Sequence, residues 1–404
     1  MKTSRGSVCL ITGGLTARNR PLQPWRYLHE VGKQLIRQEW RVTIVSDGAA
    51  QPGEQLLDGV PIHYLPTVSD LRWRPNQPLH DLLNSIAPDI VLTHVGLTSF
   101  LHQRLAGWQR APSIGLFSSP LYSAADFGRL GYRKVVQGRQ LCGVHFLNTM
   151  IPKPLVRRQM AQARMDCLVT QSETVRQQLE QAALWPRTAR SIGPGVDTEW
   201  RNQWINGGLS TRERLGFQAA DTVILYYGSP AALRGLHTLI RAFEAVAANN
   251  ASLKLFILSR RREDELVQAD AELKALLQQS RVRKQIHVVS GYLAPQELVD
   301  HVAAADIVAL PFEIVPSDAP LTLLEAQALG KPVVTTNLAC LPELVAHGRY
   351  YLAQPSSVQS LADALRQAAA EAQMSTATRP NAQAIRSWEQ VGAEWSELLC
   401  SYVS

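Results

Sequence analysis

At 404 residues the chain is longer than one ordinary core holds, so two domains of about 200 residues are expected. Its 46% hydrophobic and 19% charged residues are an ordinary globular composition, and no run approaches the ~18 apolar residues of a membrane span. The net charge of +7 is unevenly spread: residues 101–160 carry nine Lys/Arg against one acid, Asp126, which argues for an anionic partner or surface.

In chain order, the opening MKTSRGSVCLITGG has a short apolar run, Val8 to Ile11, and then two glycines. It reads as a first strand and a turn, not a signal peptide. A helix through about Leu35 follows, then strands at 41–46 and 62–66, a helix near 78–86, and strands at 89–94 and 113–117. CLVTQS (167–172) leads into a helix over 173–184, and ARSIGPGVD (189–197) closes this half. Around 198–220 the pattern lapses into a polar stretch, then restarts with VILYYG (223–228) and a helix over 236–248. KLFILS (254–259), a charged helix to about Gln279, IHVVSG (286–291), a helix over 295–304 and IVALPF (307–312) continue it. The tail from 387 reads as one amphipathic helix carrying Trp388, Val391, Trp395, Leu398 and Leu399.

Two series of alternating strands and helices predict an α/β fold of two Rossmann-like domains facing across a cleft, with ligands at the carboxyl ends of the strands. The expected domains are 1–197, 198–380 and a C-terminal helix, 381–404, crossing back to the first. Five dispersed cysteines and ten histidines without ligand spacing give no sign of a disulfide framework or a metal site. A reducing cytoplasm is therefore expected.

The basic segment interleaves its charges with Phe127, Leu130, Tyr132, Phe146, Leu147 and Met150. That mixture suits peripheral attachment to an anionic membrane, such as the inner face of the cell membrane. Nucleic acid is the rival partner, but no motif for it is visible, so none is expected.

The densest chemical signal is SDAPLTLLEAQALGKPVVTT (317–336). Asp318 and Pro320 suit a helix start, while Gly330 and Pro332 end the helix before the strand 333–336. Glu325 falls about five residues in, ~7 Å along the axis. A carboxylate among apolar neighbours is either an exposed helix residue or an acceptor aimed at a ligand's hydroxyls. Upstream, GSPAALRG (228–235) joins a strand to a helix, with Arg234 adding a planar cation near two glycines. Two helix starts and one arginine at a cleft make a diphosphate site.

The order GSPAALRG, VVSGYLAPQELVDHVAAADIVALPF, PSDAPLTLLEAQALGKPVV resembles the retaining GT-B glycosyltransferases with the E-x7-E signature, the glycosyltransferase family 4-like class. SIGPGVDTEW (191–200), Gly13–Gly14 and PDIVLTH (88–94) fit the same pattern, which is strong over 223–345 and loose before 160. The resemblance implies a nucleotide-diphosphate sugar as donor, no metal or other cofactor, and an anionic or lipid-linked acceptor, a membrane lipid or a polysaccharide.

Carried over by position, the resemblance makes Glu325 the ribose acceptor and Arg234 the diphosphate cation. Leu321 and Thr322 would bind phosphate through their backbones, with Gly228 and Ser229 in the preceding turn. Gly291 and Tyr292 fall at the nucleobase, Gly14 faces the diphosphate from the other domain, and His94 is a cleft-wall candidate. Arg234, Asp318 and Glu325 are the catalytic set.

Departures accompany these matches. The first signature glutamate falls on Ser317 without a gap, or on Asp318 with a one-residue shortening. Asp318 is the better acceptor for sugar hydroxyls, or else it caps the helix. Ser229 replaces an arginine, for which Arg260, Arg261 and Arg262 could compensate. Ser118 and Ser119 stand near a missing histidine. A nucleotide-sugar epimerase and a non-catalytic partner subunit are the competing functions.

Overall fold

The computed structural model describes residues 4–49, 51–69, 75–97, 105, 107–137, 139–162, 165–197, 208–259, 267–291, 293–374 and 385–403. The first half runs β1 (Gly6–Ile11), α1 (Trp25–Arg37), β2 (Trp40–Ser46), β3 (Gly53–Leu57), β4 (Val60–Tyr64), α2 (Gln77–Ile86), β5 (Ile90–Val95) and β6 (Ser113–Phe117). Four helices come next: α3 (Ala124–Leu130), α4 (Tyr132–Gln137), α5 (Arg139–Met150) and α6 (Lys153–Gln162). The half ends with β7 (Cys167–Thr170), α7 (Glu173–Gln181) and β8 (Ala189–Ser191). Its sheet has the order β3-β4-β2-β1-β5-β6-β7-β8, parallel except for β3 against β4.

The second half runs β9 (Thr222–Gly228), α8 (Leu236–Ala247), β10 (Leu253–Ser259), α9 (Val267–Gln279), β11 (Ile286–Ser290), α10 (Pro295–Ala303) and β12 (Ile307–Leu310). Then come α11 (Leu321–Ala328), β13 (Val333–Thr336), α12 (Leu341–Val345), β14 (Tyr350–Ala353), α13 (Val358–Met374) and α14 (Trp388–Val403). The sheet is β11-β10-β9-β12-β13-β14 and wholly parallel. Helices cover both faces of such sheets, so their central strands are apolar runs: every residue of β1 and of β9 is buried.

Among the contacts that hold the halves together, two come first. The α14 helix returns to the first domain, burying Trp388, Val391, Trp395, Leu398 and Leu399 in the cluster that includes Tyr27 and Leu28 of α1. The Trp395 indole donates to the Tyr27 hydroxyl at 2.8 Å, and that hydroxyl donates to the Ile192 carbonyl at 2.6 Å. Where the returning chain crosses the first, Val196 pairs with Ser387, and a side chain at Gly195 would lie 2.6 Å from the Ser387 carbonyl carbon. Only glycine permits that approach.

The second feature is carboxylates from the second domain reaching the N-terminus of α7. Glu343 accepts from the Glu173 and Thr174 amides at 2.8 and 2.7 Å, where the helix dipole favours an anion. The expected boundaries at 197/198 and 380/381 adjoin 198–207 and 375–384, which lie outside the described residues.

Part of the basic segment packs against the second domain. Phe127, Leu130 and Cys142 are buried against Leu233 and Ile314 of the second domain. Lys134 donates to Glu313 at 2.6 Å, and His145 Nε2 contacts the Pro316 carbonyl at 2.8 Å. Helices α3 to α5 thus clasp the loop that precedes α11. Among the described residues, no helix is long and apolar enough to cross a membrane.

Candidate functional site

A cleft of about 950 Å³ separates the two sheets, within the size range of small-molecule sites. Its floor in the second domain comes from the ends of β9, β10 and β11 and the start of α11. Gly228 ends β9 with φ +139°. A Cβ there would meet Arg234 Nη1 at 2.9 Å. Glycine therefore lets the guanidinium lie back across the turn, over the Phe312 ring at 5.1 Å from its centroid.

Lining the same cleft, α11 starts after Pro320 with no side-chain cap and no acid in its first turn. Its N-terminal amides carry the positive end of the helix dipole. Thr322 Oγ1 adds a buried hydroxyl with no hydrogen-bond partner among the described residues. The Tyr227 hydroxyl donates to the Thr322 carbonyl and braces this turn. One cationic side chain and one uncapped helix start together suit a diphosphate.

One turn along α11, Glu325 is 5% exposed. Its Oε1 accepts from Arg26 Nη1 at 2.7 Å, and Arg26 Nη2 donates to Asp197 Oδ2 at 2.8 Å. This three-residue bridge runs from α1 through the interdomain crossover to α11. Trp25, beside Arg26, lines the cleft and anchors its indole on the Gly13 carbonyl at 2.7 Å.

Of the residues expected from sequence, the cleft brings together Gly228, Ser229 and Arg234 with Gly291, Leu321, Thr322 and Glu325. Tyr292 and Arg260 to Arg262 lie outside the described residues.

Three expectations are corrected. Asp318 does not line the cleft and does not cap α11. It is fully buried, with Oδ1 accepting from Ser172 Oγ at 2.7 Å and Oδ2 from the Gln171 amide at 3.1 Å. Ser317 is the residue that reaches the cleft wall. Gly14 is not among the cleft-lining residues, and its amide is already donated to Asp47 Oδ1 at 2.5 Å beneath the Trp25 ring. His94 is turned to Ser118, whose hydroxyl its Nε2 contacts, and it forms no part of the cleft wall.

Arg26 and Asp197 were not legible as site residues. Arg26 looks like any cation on an amphipathic helix. Asp197 belongs to the matched SIGPGVDTEW stretch, which was the available signal.

Two parallel-sheet Rossmann-like domains with this cleft define the GT-B architecture. Two family models divide the chain: "Glycosyltransferase Family 4" matches residues 25–200 and "Glycosyl transferases group 1" matches 221–371. The chain belongs to the family 4-like GT-B glycosyltransferases.

A "D-inositol 3-phosphate glycosyltransferase" of Saccharomonospora viridis is 32% identical over 169 residues, 40% of this chain and 37% of that protein. A "GDP-mannose-dependent monoacylated alpha-(1-6)-phosphatidylinositol monomannoside mannosyltransferase" of Corynebacterium glutamicum is 27% identical over 205 residues, 48% and 50% of the two chains. The chain thus spans about half the length, or less, of these curated relatives. Among solved structures, sucrose-phosphate synthase from Thermosynechococcus elongatus superposes with a TM-score of 0.72 at 16% identity, covering 98% of each chain. Anabaena HepE in complex with UDP gives 0.72 at 16% identity, over 98% of this chain and 100% of that one. At such identity these two show the fold alone.

Proposed function

We propose that the protein transfers a sugar from a nucleotide-diphosphate sugar to an acceptor hydroxyl with retention of anomeric configuration. The observation that carries this reading is the convergence of Arg234, the uncapped start of α11 and Glu325 on one wall of the cleft. Arg234 and the helix dipole neutralise charge growing on the departing diphosphate, and Glu325 accepts from the ribose hydroxyls. The acceptor hydroxyl attacks from the face the diphosphate leaves. These groups perform the neutralisation that a divalent cation performs elsewhere, so transfer should survive dialysis against a chelator. HepE, solved with UDP and with UDP-glucose, supports a nucleotide sugar as the donor.

The acceptor is proposed to be lipid-linked or a membrane lipid, met at an anionic surface by a cytoplasmic, peripherally attached enzyme. Exposed Tyr132, Val144, Leu147 and Met150, all on α4 and α5, support this attachment. The test is donor hydrolysis and transfer by purified protein with a panel of UDP-, GDP- and ADP-sugars, with and without chelator. Release of nucleoside diphosphate from at least one sugar, unaffected by chelation, is expected. No turnover with any donor would reject the enzyme in favour of a non-catalytic subunit.

A further inference from the structure

Arg26 and Glu325 both line the cleft and are paired to each other. Arg26 Nη1 occupies Glu325 Oε1 at 2.7 Å, the carboxylate assigned above to the ribose hydroxyls. The pair is secluded, with side-chain exposures of 18% and 7%, so its hydrogen bond is little diluted by solvent. The guanidinium's other terminal nitrogen, Nη2, holds Asp197 at 2.8 Å, and that carboxylate is 37% exposed. The two bonds use different nitrogens, so one can break while the other persists.

We infer that Arg26 is a built-in competitor for the donor site: ribose takes Glu325 from it, and Asp197 is the partner Arg26 keeps on yielding. The inference rests on Glu325 being the ribose acceptor. A buried carboxylate stripped of its cation needs replacement donors. A vicinal diol supplies two O–H groups to one carboxylate, and a sugar lacking them supplies none. A ligand without the diol, such as a dideoxynucleotide or inorganic diphosphate, leaves the Arg26–Glu325 pair in place and neither gains nor loses by it. The exchange also joins the first domain, through α1, to the occupancy of the second domain's site.

The experiment is calorimetric titration of UDP, GDP and ADP, and of the 2′,3′-dideoxy form of the tightest binder, into wild type, Arg26→Gln and Arg26→Lys. Thermal melts verify that each variant is folded. Arg26→Gln should bind the ribonucleotide roughly threefold to tenfold more tightly than wild type, the worth of one net hydrogen bond. It should bind the dideoxy form no more tightly than wild type does. Arg26→Lys, with a cation but no fork to hold both carboxylates, should fall between them. Ribonucleotide binding that Arg26→Gln leaves unchanged or weakens overturns the competition while sparing the donor site. An equal gain for the dideoxy form also overturns it, since the gain would not involve the diol. Absence of binding by all three proteins overturns the donor-site reading and this inference with it.

Discussion

Asp318 Oδ1 accepts from Ser172 Oγ at 2.7 Å, tying the loop before α11 to the residue that caps α7 in the other domain. The same Ser172 hydroxyl accepts from the Val175 amide at 3.2 Å. The carboxylate's buried position serves the joint between domains, not the sugar.

Burial pushes Asp318 up to about 6 from 3.8, against the opposing pull of the Ser172 hydrogen bond. The folded protein therefore keeps a proton here at pH values where the unfolded chain has lost it. The resulting penalty on stability is fully present above about pH 6 and disappears as pH falls toward 3.8, a span worth about 3 kcal/mol. Asp318→Asn cannot ionise, so its melting temperature relative to wild type should improve between about pH 4 and pH 7. Its turnover should stay within about twofold of wild type, because position 318 does not meet the donor. Differential scanning across that range and a steady-state assay check both, and a large loss of turnover would return Asp318 to the chemistry.

Arg234→Ala should weaken nucleotide-sugar binding by roughly tenfold or more, since it removes a charge-assisted contact to the diphosphate. Arg241→Ala, on the exposed side of α8, should leave it unchanged. Equal effects of the two substitutions on donor affinity would dissolve the phosphate site.

Lys134 belongs to the clasp between domains, not to a free basic face. Glu313 is 2% exposed and shares its carboxylate between Lys134 and Thr238. Lys134→Ala should cost about 1–2 kcal/mol, less than a fully buried pair because the lysine is a third exposed. Adding Glu313→Gln should recover part of that loss. Chemical denaturation of both variants checks this, and an undiminished loss in the double variant would contradict the pairing.

Membrane attachment is tested on different residues. Leu147→Ser with Met150→Ser, and Lys153→Glu with Arg158→Glu, alter positions that the structure leaves exposed. Both pairs should reduce co-sedimentation with anionic vesicles, the charge pair more strongly at low salt, where the Debye length is longest. Wild-type protein that ignores lipid charge at every salt concentration would leave this patch to another partner.

Much of this fold is written in local patterns. Strands such as Ser113–Phe117 and Val333–Thr336 are short, apolar, and bounded by turn residues, so period and punctuation suffice. Gly53–Leu57 was not legible, because four of its five residues are exposed and nothing alternates. The strand β14 and the helix α13 were missed as well, although their burial in the second core is plain in the structure.

In the site, Gly228, Arg234 and Glu325 stood out through glycine placement and a lone carboxylate. Arg26 and Asp318 were opaque for one physical reason. Each makes its decisive contact across the domain interface, 299 and 146 residues away in the chain. No local period encodes such a pairing.

The central claim is that Glu325 captures the ribose of a nucleotide-diphosphate sugar in this cleft. Its most direct test is calorimetry of UDP-, GDP- and ADP-sugars with wild type and Glu325→Ala, both verified as folded. At least one donor should bind wild type, and Glu325→Ala should lose about 2–4 kcal/mol of that affinity, the worth of two charge-assisted hydrogen bonds. Donor affinity within about twofold of wild type in the variant, a difference under ~0.5 kcal/mol, would contradict the assignment.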